Sequence, residues 1–294
     1  MPDPADYIAD DELTRLIETA KREDLGPDDV DATSECFIDA EALGSAAFVP
    51  RQAGTVAGLT LLGAVCDVYG GRVDLITQAS DGDAVAPGQT LATLAGPMRD
   101  LLAIERVALN LLTHLSGVAT LTAKYVARCK GTKANVYDTR KTLPGLRGLQ
   151  KYAVACGGGR THRVGLYDAV LIKDNHLADT PNDQLAQRLT EAAYQARQRW
   201  PKLKFIEVEV DTLDQFSTVI KAPIDIVLLD NMPLSTLTQA VLMRNQQAPR
   251  IELEASGGVN LESIGLIAQT GVDRISVGAL THSAPSLDIG LDLG

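Results

Sequence analysis

The sequence predicts an α/β protein whose second region forms a mostly parallel sheet or an α/β barrel. Candidate strands and helical patterns alternate from about residue 116 to residue 282, as they do in repeated βα units. The strand candidates read NVYDTRK, YDAVLIKDNH, FIEVEVD, DIVLLDN, IELEASGG and DRISVGAL. Each has an apolar body and ends in polar residues or glycine, and α/β barrels place their active sites where the strands end. We therefore expect a functional site along that edge of the sheet.

The first region, up to about residue 115, is predicted to mix helices with short strands. Apolar residues at helical spacing predict a helix from Asp10 to Lys21. Between residues 45 and 98, short apolar runs are separated by Asp-Gly and Pro-Gly pairs, a pattern typical of strands joined by turns.

A long helix is predicted from Met98 to about Lys130, because apolar residues form a broad face there, and a break is expected near Gly117. Arg106 and Asn110 are four residues apart and therefore lie on one side of this helix. An arginine on such a helix either extends its charge to solvent or meets a buried anion. The pattern leaves both possibilities open.

Composition and charge exclude several classes of protein. The chain has 294 residues and a net charge of −11, which argues against non-specific nucleic-acid binding. No apolar run reaches the ~18 residues of a membrane helix, and the acidic start lacks the features of a secretory signal. The four cysteines form no CxxC pair, which favours reduced thiols over a disulfide frame or a zinc site. We expect a cytoplasmic protein with no nucleic-acid or membrane partner.

The segment from Tyr137 to His176 reverses the sign of the chain's charge. It contains seven Lys or Arg and three Asp, a net charge of +4. Arginine and lysine suit carboxylates and phosphates, so the segment predicts a pocket for a small polyanion. The alternative is a solvated basic face. The candidate binding residues are Arg140, Lys141, His162, Arg163 and Lys173, with Arg106 as a possible member from outside the segment.

Two acids and two glycine sites complete the candidate site. Glu209 and Asp230 stand at the ends of successive strands, and Glu207 faces the same side as Glu209. Carboxylates there suit Mg²⁺ or ribose hydroxyls, although they could also be exposed acids paired with lysines. The loops after the last two strands carry glycines, which can present backbone N–H groups to a phosphate. These glycine sites are Ser256-Gly257-Gly258 and Gly278.

At the level of motifs, the chain resembles the quinolinate phosphoribosyltransferase family. The resemblance spans nearly the whole chain and no motif position departs from it. The motifs that carry it are ERVALNLLTHLSGVAT, DTRKTLPGLRGLQKYAV, GGGRTHRVGLYDAVLIKDNH, VLLDN, EASGGV and GALTHS.

The resemblance implies a fold and an assembly. The expected fold is an incomplete α/β barrel of the type II phosphoribosyltransferase kind at residues 116–282, with an N-terminal α/β sandwich domain at 1–115. The tail at 283–294 is expected to pack on the N-terminal domain. The resemblance also implies a homodimer in which Arg106 reaches the neighbouring subunit's active site.

The resemblance further implies a reaction and roles in it. Quinolinate and phosphoribosyl pyrophosphate would give nicotinate mononucleotide, pyrophosphate and CO₂, with Mg²⁺ as cofactor. Arg106, Arg140, His162, Arg163 and Lys173 would hold quinolinate. Catalysis would rest on Lys141, Glu209 and Asp230, the two acids also holding the metal. The phosphoribosyl donor would contact these three residues as well as Ser256, Gly257, Gly258 and Gly278, and the same motifs add Thr139 and His282 as substrate-binding residues.

Two alternatives stay open at this point. A nicotinate phosphoribosyltransferase without decarboxylation would need one carboxylate-binding group fewer. A non-catalytic phosphosugar-binding regulator on the same barrel would be expected to lack the acids, yet Glu209 and Asp230 are both present.

Overall fold

The computed structural model describes residues 2–177 and 180–294. Its strands, numbered in chain order, are β1 Leu43–Pro50, β2 Gly54–Thr55, β3 Asp74–Thr77, β4 Ala84–Val85, β5 Ala92–Pro97, β6 Asn135–Tyr137, β7 Val170–Ile172, β8 Ile206–Val210, β9 Ile226–Asp230, β10 Glu252–Ser256, β11 Arg274–Ser276 and β12 Ile289–Leu293. Its α-helices are α1 Asp10–Leu25, α2 Ala32–Phe37, α3 Leu62–Val68, α4 Met98–Arg128, α5 Arg147–Cys156, α6 Asp174–Leu177, α7 Asn182–Arg199, α8 Leu213–Val219, α9 Leu234–Gln247, α10 Ile264–Gln269 and α11 Ala279–His282.

The chain divides into two compact units. The first unit combines the residues up to Ala123 with Thr142–Gly158 and Leu280–Gly294. The second unit combines Lys124–Lys141 with Gly159–Ala279. The domain boundaries expected from the sequence, at 115/116 and 282/283, stay a prediction.

The first unit is built on a four-stranded antiparallel sheet in the order β12-β1-β5-β3, beside the small β2-β4 pair. Phe48 of β1 and Leu94 of β5 are fully buried in its core. The predicted helix at Asp10 is confirmed. It runs on as α1 to Leu25 and ends at Gly26, whose φ of 73° glycine adopts without steric cost.

Helix α4 is continuous, so the predicted break near Gly117 is wrong. A Cβ added at Gly117 would collide with the carbonyl oxygen of Pro285 and lie 2.9 Å from the Cα of Ser286. Glycine is needed there for a close backbone approach and not for a bend. By length and composition α4 could also cross a membrane, but 56% of its most apolar stretch is buried, and the core helix of a soluble protein meets the same criterion.

Helix α5 packs a polar contact into the core of the first unit. The Tyr152 hydroxyl donates a 2.6 Å hydrogen bond to Asp81, which also accepts from the Leu59 and Thr60 backbone N–H groups. At the end of the helix, burial and the nearby Asp81 carboxylate raise the pKa of the Cys156 thiol to about 12. Cys156 is therefore a packed, unreactive thiol.

The second unit contains a six-stranded sheet in the order β6-β11-β10-β9-β8-β7, and every neighbouring pair is parallel. Its strand bodies are rich in buried branched residues such as Val208, Val227 and Ile275, as expected of a sheet covered on both faces. Among the described residues the order ends on β6 and β7, so the sheet is an incomplete α/β barrel. The predicted fold class is confirmed, and each predicted strand is present in a shorter form.

Candidate active site at the carboxyl edge of the parallel sheet

The parallel strands bring most of the predicted site residues to one edge of the sheet. Thr139, Arg140 and Lys141 come just after β6, and Lys173 directly follows β7. Because all six strands run the same way, their carboxyl ends meet at this edge. The other strands end there in Glu209 of β8, Asp230 of β9, Ser256-Gly257-Gly258 after β10 and Gly278 after β11.

Two arginines of this edge, Arg140 and Arg163, lie close enough to repel each other. Arg163 is buried, and one guanidinium nitrogen donates a 3.3 Å hydrogen bond to the Ala169 carbonyl oxygen. Burial lowers the pKa of Arg163, and repulsion from the neighbouring Arg140 lowers it further. A guanidinium held out of water beside another one is unfavourable alone, so the pair favours an anionic ligand.

The loop that carries His162 and Arg163 is held to β6 by backbone contacts. The Asp138 carboxylate, fully buried, accepts a 2.7 Å hydrogen bond from the His162 backbone N–H. Arg160 forms a parallel bridge with Tyr137. The cationic loop is thereby fixed beside the end of β6, close to Arg140.

The far side of the loop is fixed by Asp168. Its carboxylate accepts hydrogen bonds of 2.9 and 3.1 Å from the backbone N–H groups of Val164 and Gly165. Burial raises the pKa of Asp168, but these two hydrogen bonds and the Lys204 ammonium outweigh burial and lower it overall. Asp168 therefore stays ionised and holds the turn that follows Arg163.

Lys173 and Glu209 form an ion pair at the end of β7 and β8. The Lys173 ammonium bonds one Glu209 carboxylate oxygen directly. The glutamate side chain is only 11% exposed, whereas the lysine side chain is 43% exposed. The sequence left open whether Glu209 meets a metal or a nearby lysine, and in this structure it meets Lys173.

The end of β9 is tied to the loop after β10. Ser256 lies opposite Asp230 in the parallel register, and the Asn231 backbone N–H donates a 2.9 Å hydrogen bond to the Ser256 carbonyl oxygen. Gly257 and Gly258 have φ angles of 92° and 59°, which glycine adopts readily. Asp230 at the end of β9 and the glycine loop after β10 are therefore held next to each other.

Beneath this edge lies a buried charged cluster of His162, Glu207, Glu254 and Arg274. The His162 Nε2 atom is 3.0 Å from a Glu207 oxygen and 3.4 Å from a Glu254 oxygen. Arg274 donates a 2.6 Å hydrogen bond from Nε to Glu254, and its guanidinium stacks 3.9 Å from the Tyr137 ring centroid. The interior of the barrel is therefore charged just below the site, where apolar side chains are the usual filling.

The cluster holds one proton that His162 and Glu207 compete for. Burial, with repulsion from Glu254, raises the pKa of Glu207. Burial lowers the pKa of His162, but its hydrogen bonds with the two carboxylates outweigh burial and raise it overall. The Arg163 backbone N–H donates a 2.8 Å hydrogen bond to His162 Nδ1, so the ring turns its Nε2–H group toward the two carboxylates. The pair therefore titrates as a unit and not as two independent groups.

Two carboxylate sets could in principle hold a metal ion. Within the described chain, His162, Glu207 and Glu254 are the group whose ligand atoms all lie within 4.8 Å. Arg274 and the His162 proton already balance those carboxylates, so a metal there would have to displace a cation. Glu209 and Asp230 lie on neighbouring strands at the open edge and offer the hard oxygen ligands that Mg²⁺ prefers. They suit that ion better than the buried cluster does, and a bound Mg²⁺ would have to share Glu209 with Lys173.

Two predicted site residues, Arg106 and His282, belong to the first unit. The Arg106 side chain is 59% exposed on α4, with a Glu105 oxygen 3.6 Å away, so it extends to solvent within its own chain. His282 is exposed, and its Nδ1 lies 2.6 Å from the Ser283 hydroxyl oxygen. The remaining predicted site residues all lie in the second unit.

Sequence reasoning missed the charged floor of the site. Glu254 and Arg274 were not among the predicted residues, and Glu207 was noted only for its side of the strand. The period of two residues along a strand could have found them. Glu254 precedes Ser256 by two residues, and Arg274 precedes Gly278 by four, so each shares a face with a predicted site residue.

Comparisons with known proteins agree along the whole chain. Residues 31–116 match the family model described as quinolinate phosphoribosyl transferase, N-terminal domain. Residues 118–292 match the model of the corresponding C-terminal domain.

Individual relatives are similar over most of their length. The chain is 45% identical to the nicotinate-nucleotide pyrophosphorylase [carboxylating] of Mycobacterium leprae, over 90% of this chain and 91% of that protein. It is 39% identical to a probable enzyme of the same name from Bacillus subtilis, over 96% of this chain and 93% of that protein. The solved nicotinate-nucleotide pyrophosphorylase of Francisella tularensis has a TM-score of 0.89 and 34% identity, and the match covers 100% of both chains.

Proposed function

The chain belongs to the quinolinate phosphoribosyltransferase family, and we propose that the edge of its parallel sheet joins quinolinate to phosphoribosyl pyrophosphate. It is a carboxylating nicotinate-nucleotide pyrophosphorylase of NAD biosynthesis, and its products are nicotinate mononucleotide, pyrophosphate and CO₂. The observation that carries the assignment is the meeting, at one edge, of an arginine cluster with two acids and a glycine loop. A dicarboxylate and a phosphorylated sugar need these two halves of a site.

The arginine half of the site binds quinolinate. Burial, and after it repulsion from Arg140, lowers the pKa of Arg163, so a ligand with two carboxylates relieves the repulsion between the two arginines. His162, held from below by Glu207 and Glu254, and Lys173 complete the acceptor site. Binding orients the ring nitrogen of quinolinate toward the donor. The reaction is accelerated because the two reactants are held in one geometry.

The other half binds the phosphoribosyl donor. Thr139 accepts a 3.1 Å hydrogen bond from the Lys141 backbone N–H, which shapes the turn that presents the Lys141 ammonium to the pyrophosphate. Ser256, Gly257, Gly258 and Gly278 offer backbone and hydroxyl groups to phosphate. His282 is assigned to the donor as well, on the strength of the family motif.

Bond breaking at the ribose follows from charge. As the bond to pyrophosphate breaks, the ribose acquires positive charge, as in glycoside chemistry. The Glu209 and Asp230 carboxylates stabilise that charge, and Lys141 stabilises the departing pyrophosphate. A bound Mg²⁺, held by Asp230 and Glu209, would supply further charge neutralisation on the pyrophosphate.

Loss of CO₂ follows from the new bond. Once its nitrogen carries the ribose, the pyridinium ring accepts the electron pair of the neighbouring C–CO₂⁻ bond, CO₂ leaves and a proton takes its place. The protein needs no base for this step. Its residues hold the ring and keep the carboxylate aligned.

We also propose the assembly and the compartment. The active form is a homodimer in which Arg106 of one chain enters the neighbouring active site, and its exposure on α4 supports this. The proposed compartment is the cytoplasm, a proposal that four free cysteines are compatible with.

The assignment is tested by incubating the protein with phosphoribosyl pyrophosphate, Mg²⁺ and quinolinate labelled at the carboxyl next to the ring nitrogen. We expect labelled CO₂ to appear in step with pyrophosphate. Nicotinate in place of quinolinate should react with a kcat/KM lower by up to ~10⁴-fold, because the cations that hold the missing carboxylate would stay unpaired. Comparable kcat/KM values for the two acceptors would instead identify a nicotinate phosphoribosyltransferase, which the comparisons do not favour.

A further inference from the structure

Asn231 stands in a backbone conformation that few residues adopt. Its φ is +51°, and among the described residues only one other non-glycine residue, Asp29, has a positive φ. Such left-handed conformations cost free energy for most side chains, and they concentrate where function requires them. Asn231 directly follows Asp230, one of the two acids assigned to the donor.

The side chain of Asn231 bridges two parts of the donor site. Its Nδ2 donates a 2.6 Å hydrogen bond to the Asp230 carboxylate. Its Oδ1 lies against Gly257, so that a Cβ added at Gly257 would collide with it and would also lie 2.9 Å from the Asn231 backbone nitrogen. The amide orientation is determined by these contacts, because the reverse orientation would place an amide oxygen against a carboxylate.

Asparagine suits this position better than its nearest substitutes. Glycine adopts the backbone freely but has no amide to donate. Aspartate tolerates the same backbone but would bring a second negative charge against Asp230. Asparagine combines the tolerated backbone with a donor.

We propose that Asn231 is a positioning residue for phosphoribosyl pyrophosphate: its amide orients the Asp230 carboxylate, and its contacts keep the glycine loop Ser256–Gly258 in register with that carboxylate. The inference rests on the proposed function and adds a residue to it. Asn231 itself touches neither substrate, and it acts through Asp230 and the loop. Quinolinate binding, which uses Arg140 and Arg163, does not depend on it.

The test compares Asn231→Gly with Asn231→Ala in the full-length protein. Asn231→Gly removes the amide and also the backbone strain at the positive φ, because glycine adopts that conformation freely. Asn231→Ala removes the amide but keeps the backbone strain. Binding of phosphoribosyl pyrophosphate with Mg²⁺ and binding of quinolinate are measured separately by isothermal titration calorimetry, with KM for each substrate and Tm alongside. Asp29→Gly is the matched control, because it makes the same backbone change at a φ of 52° in the first unit.

Both variants should bind phosphoribosyl pyrophosphate about 10-fold more weakly, the size expected for one hydrogen bond to a charged group. Its KM should rise accordingly, while the quinolinate Kd stays within about twofold of wild type. Asn231→Ala should have the lower Tm of the two. Asp29→Gly should bind both substrates like wild type.

Two results would overturn the inference. If Asn231→Gly binds phosphoribosyl pyrophosphate as tightly as wild type, the amide does not position Asp230. If both substrates weaken equally in Asn231→Gly and Asn231→Ala, the residue has only a structural role. A wild-type protein that binds no phosphoribosyl pyrophosphate would overturn the proposed function as well, so the two failures are distinguishable.

Discussion

At the scale of single residues, the site is a problem of charge placed out of water. Arg163 is buried beside Arg140, and the cluster of His162, Glu207, Glu254 and Arg274 is buried beneath them. Each buried charge must be compensated, because removing one partner leaves the other unpaired at a cost of several kcal/mol. Substitution of Arg163 should therefore mainly affect ligand binding, whereas substitution of Glu207, Glu254 or Arg274 should mainly affect stability.

The first residue-scale prediction separates the acceptor from the donor. Arg163→Ala should weaken quinolinate binding by about 1.5–3 kcal/mol, roughly 10- to 150-fold, because a charged fork to a carboxylate is lost. Lys141→Ala and Asp230→Ala should leave quinolinate binding near wild type and impair use of phosphoribosyl pyrophosphate and Mg²⁺. Isothermal titration with each substrate measures both effects. Unchanged quinolinate binding in Arg163→Ala would show that this arginine is not an acceptor ligand.

The second concerns pH. Folding raises the two pKa values of the coupled Glu207–His162 pair, from 4.5 and 6.5 to about 7 and about 9. Groups whose pKa rises on folding stabilise the protein fully below their unfolded values and lose that contribution as pH rises through the folded values. The free energy of unfolding should therefore fall through this cluster between about pH 5 and pH 9.

Glu207→Gln tests this directly. It removes one titrating carboxylate and one of the two partners that raise the pKa of His162, so the decline with pH should be shallower than in wild type. Urea unfolding at pH 5, 7 and 9 measures the free energy of unfolding of both proteins. Glu252→Gln is the control. Glu252 lies on the same face of β10 as Glu254, and one of its carboxylate oxygens is 3.3 Å from an Arg274 guanidinium nitrogen, but its side chain is 54% exposed. Equal slopes for wild type and Glu207→Gln would contradict the account of the shared proton.

At the scale of elements, the edge forms because the strands of the second unit are parallel. Six parallel strands deliver their last residues to one edge, whatever the distance between them in the chain. Helix α4 is continuous, and the Pro285–Ser286 backbone packs so closely against Gly117 that no side chain fits there. A residue that looked like a helix breaker is in fact a contact point.

The prediction at this scale is that Gly117→Ala destabilises the protein in spite of alanine's better helix propensity. The added methyl group would collide with the Pro285 backbone, and overpacking of this kind costs about 1–3 kcal/mol. Gly63→Ala in α3 is the matched control, because nothing lies within 4 Å of a Cβ there, and it should stabilise by roughly 0.5–1 kcal/mol. Chemical denaturation of both variants would decide, and a Gly117→Ala protein as stable as Gly63→Ala would show that the contact is loose.

At the scale of the whole molecule, the open question is the source of Arg106. Its side chain points to solvent from α4 in its own chain. The homodimer proposed above places it in the neighbouring active site. A site shared between two chains has a signature that a site within one chain lacks.

That signature is complementation between inactive variants. Arg106→Ala and Lys173→Ala homodimers should each be nearly inactive. With full subunit exchange about half of the dimers are mixed, and in these one site carries both defects while the other is intact, given an interface of C₂ symmetry. Activity should therefore return to ~one quarter of wild type. If mass spectrometry verifies exchange while activity stays at the level of the single variants, Arg106 does not act across the interface.

The sequence alone determined the fold class, the family and most of the edge residues. Alternating βα patterns and polar strand ends are local signals, and parallel strands convert them into one site by topology. That is why Arg140, Lys173, Glu209 and Asp230 could be named in advance. The roles proposed for them rest on residue chemistry and on the motifs.

Only the tertiary structure decided what each charge meets. Glu209 pairs with Lys173, the buried floor contains Glu254 and Arg274, and Asn231 lies against Gly257. Gly117 likewise proved to be a packing position and not a break. The physical reason is the same in each case: these contacts join residues on different strands, or a helix and a distant tail. The sequence pattern shows whether a residue is charged, apolar or small. It does not show which distant residue pairs with its charge or packs against it in the folded protein.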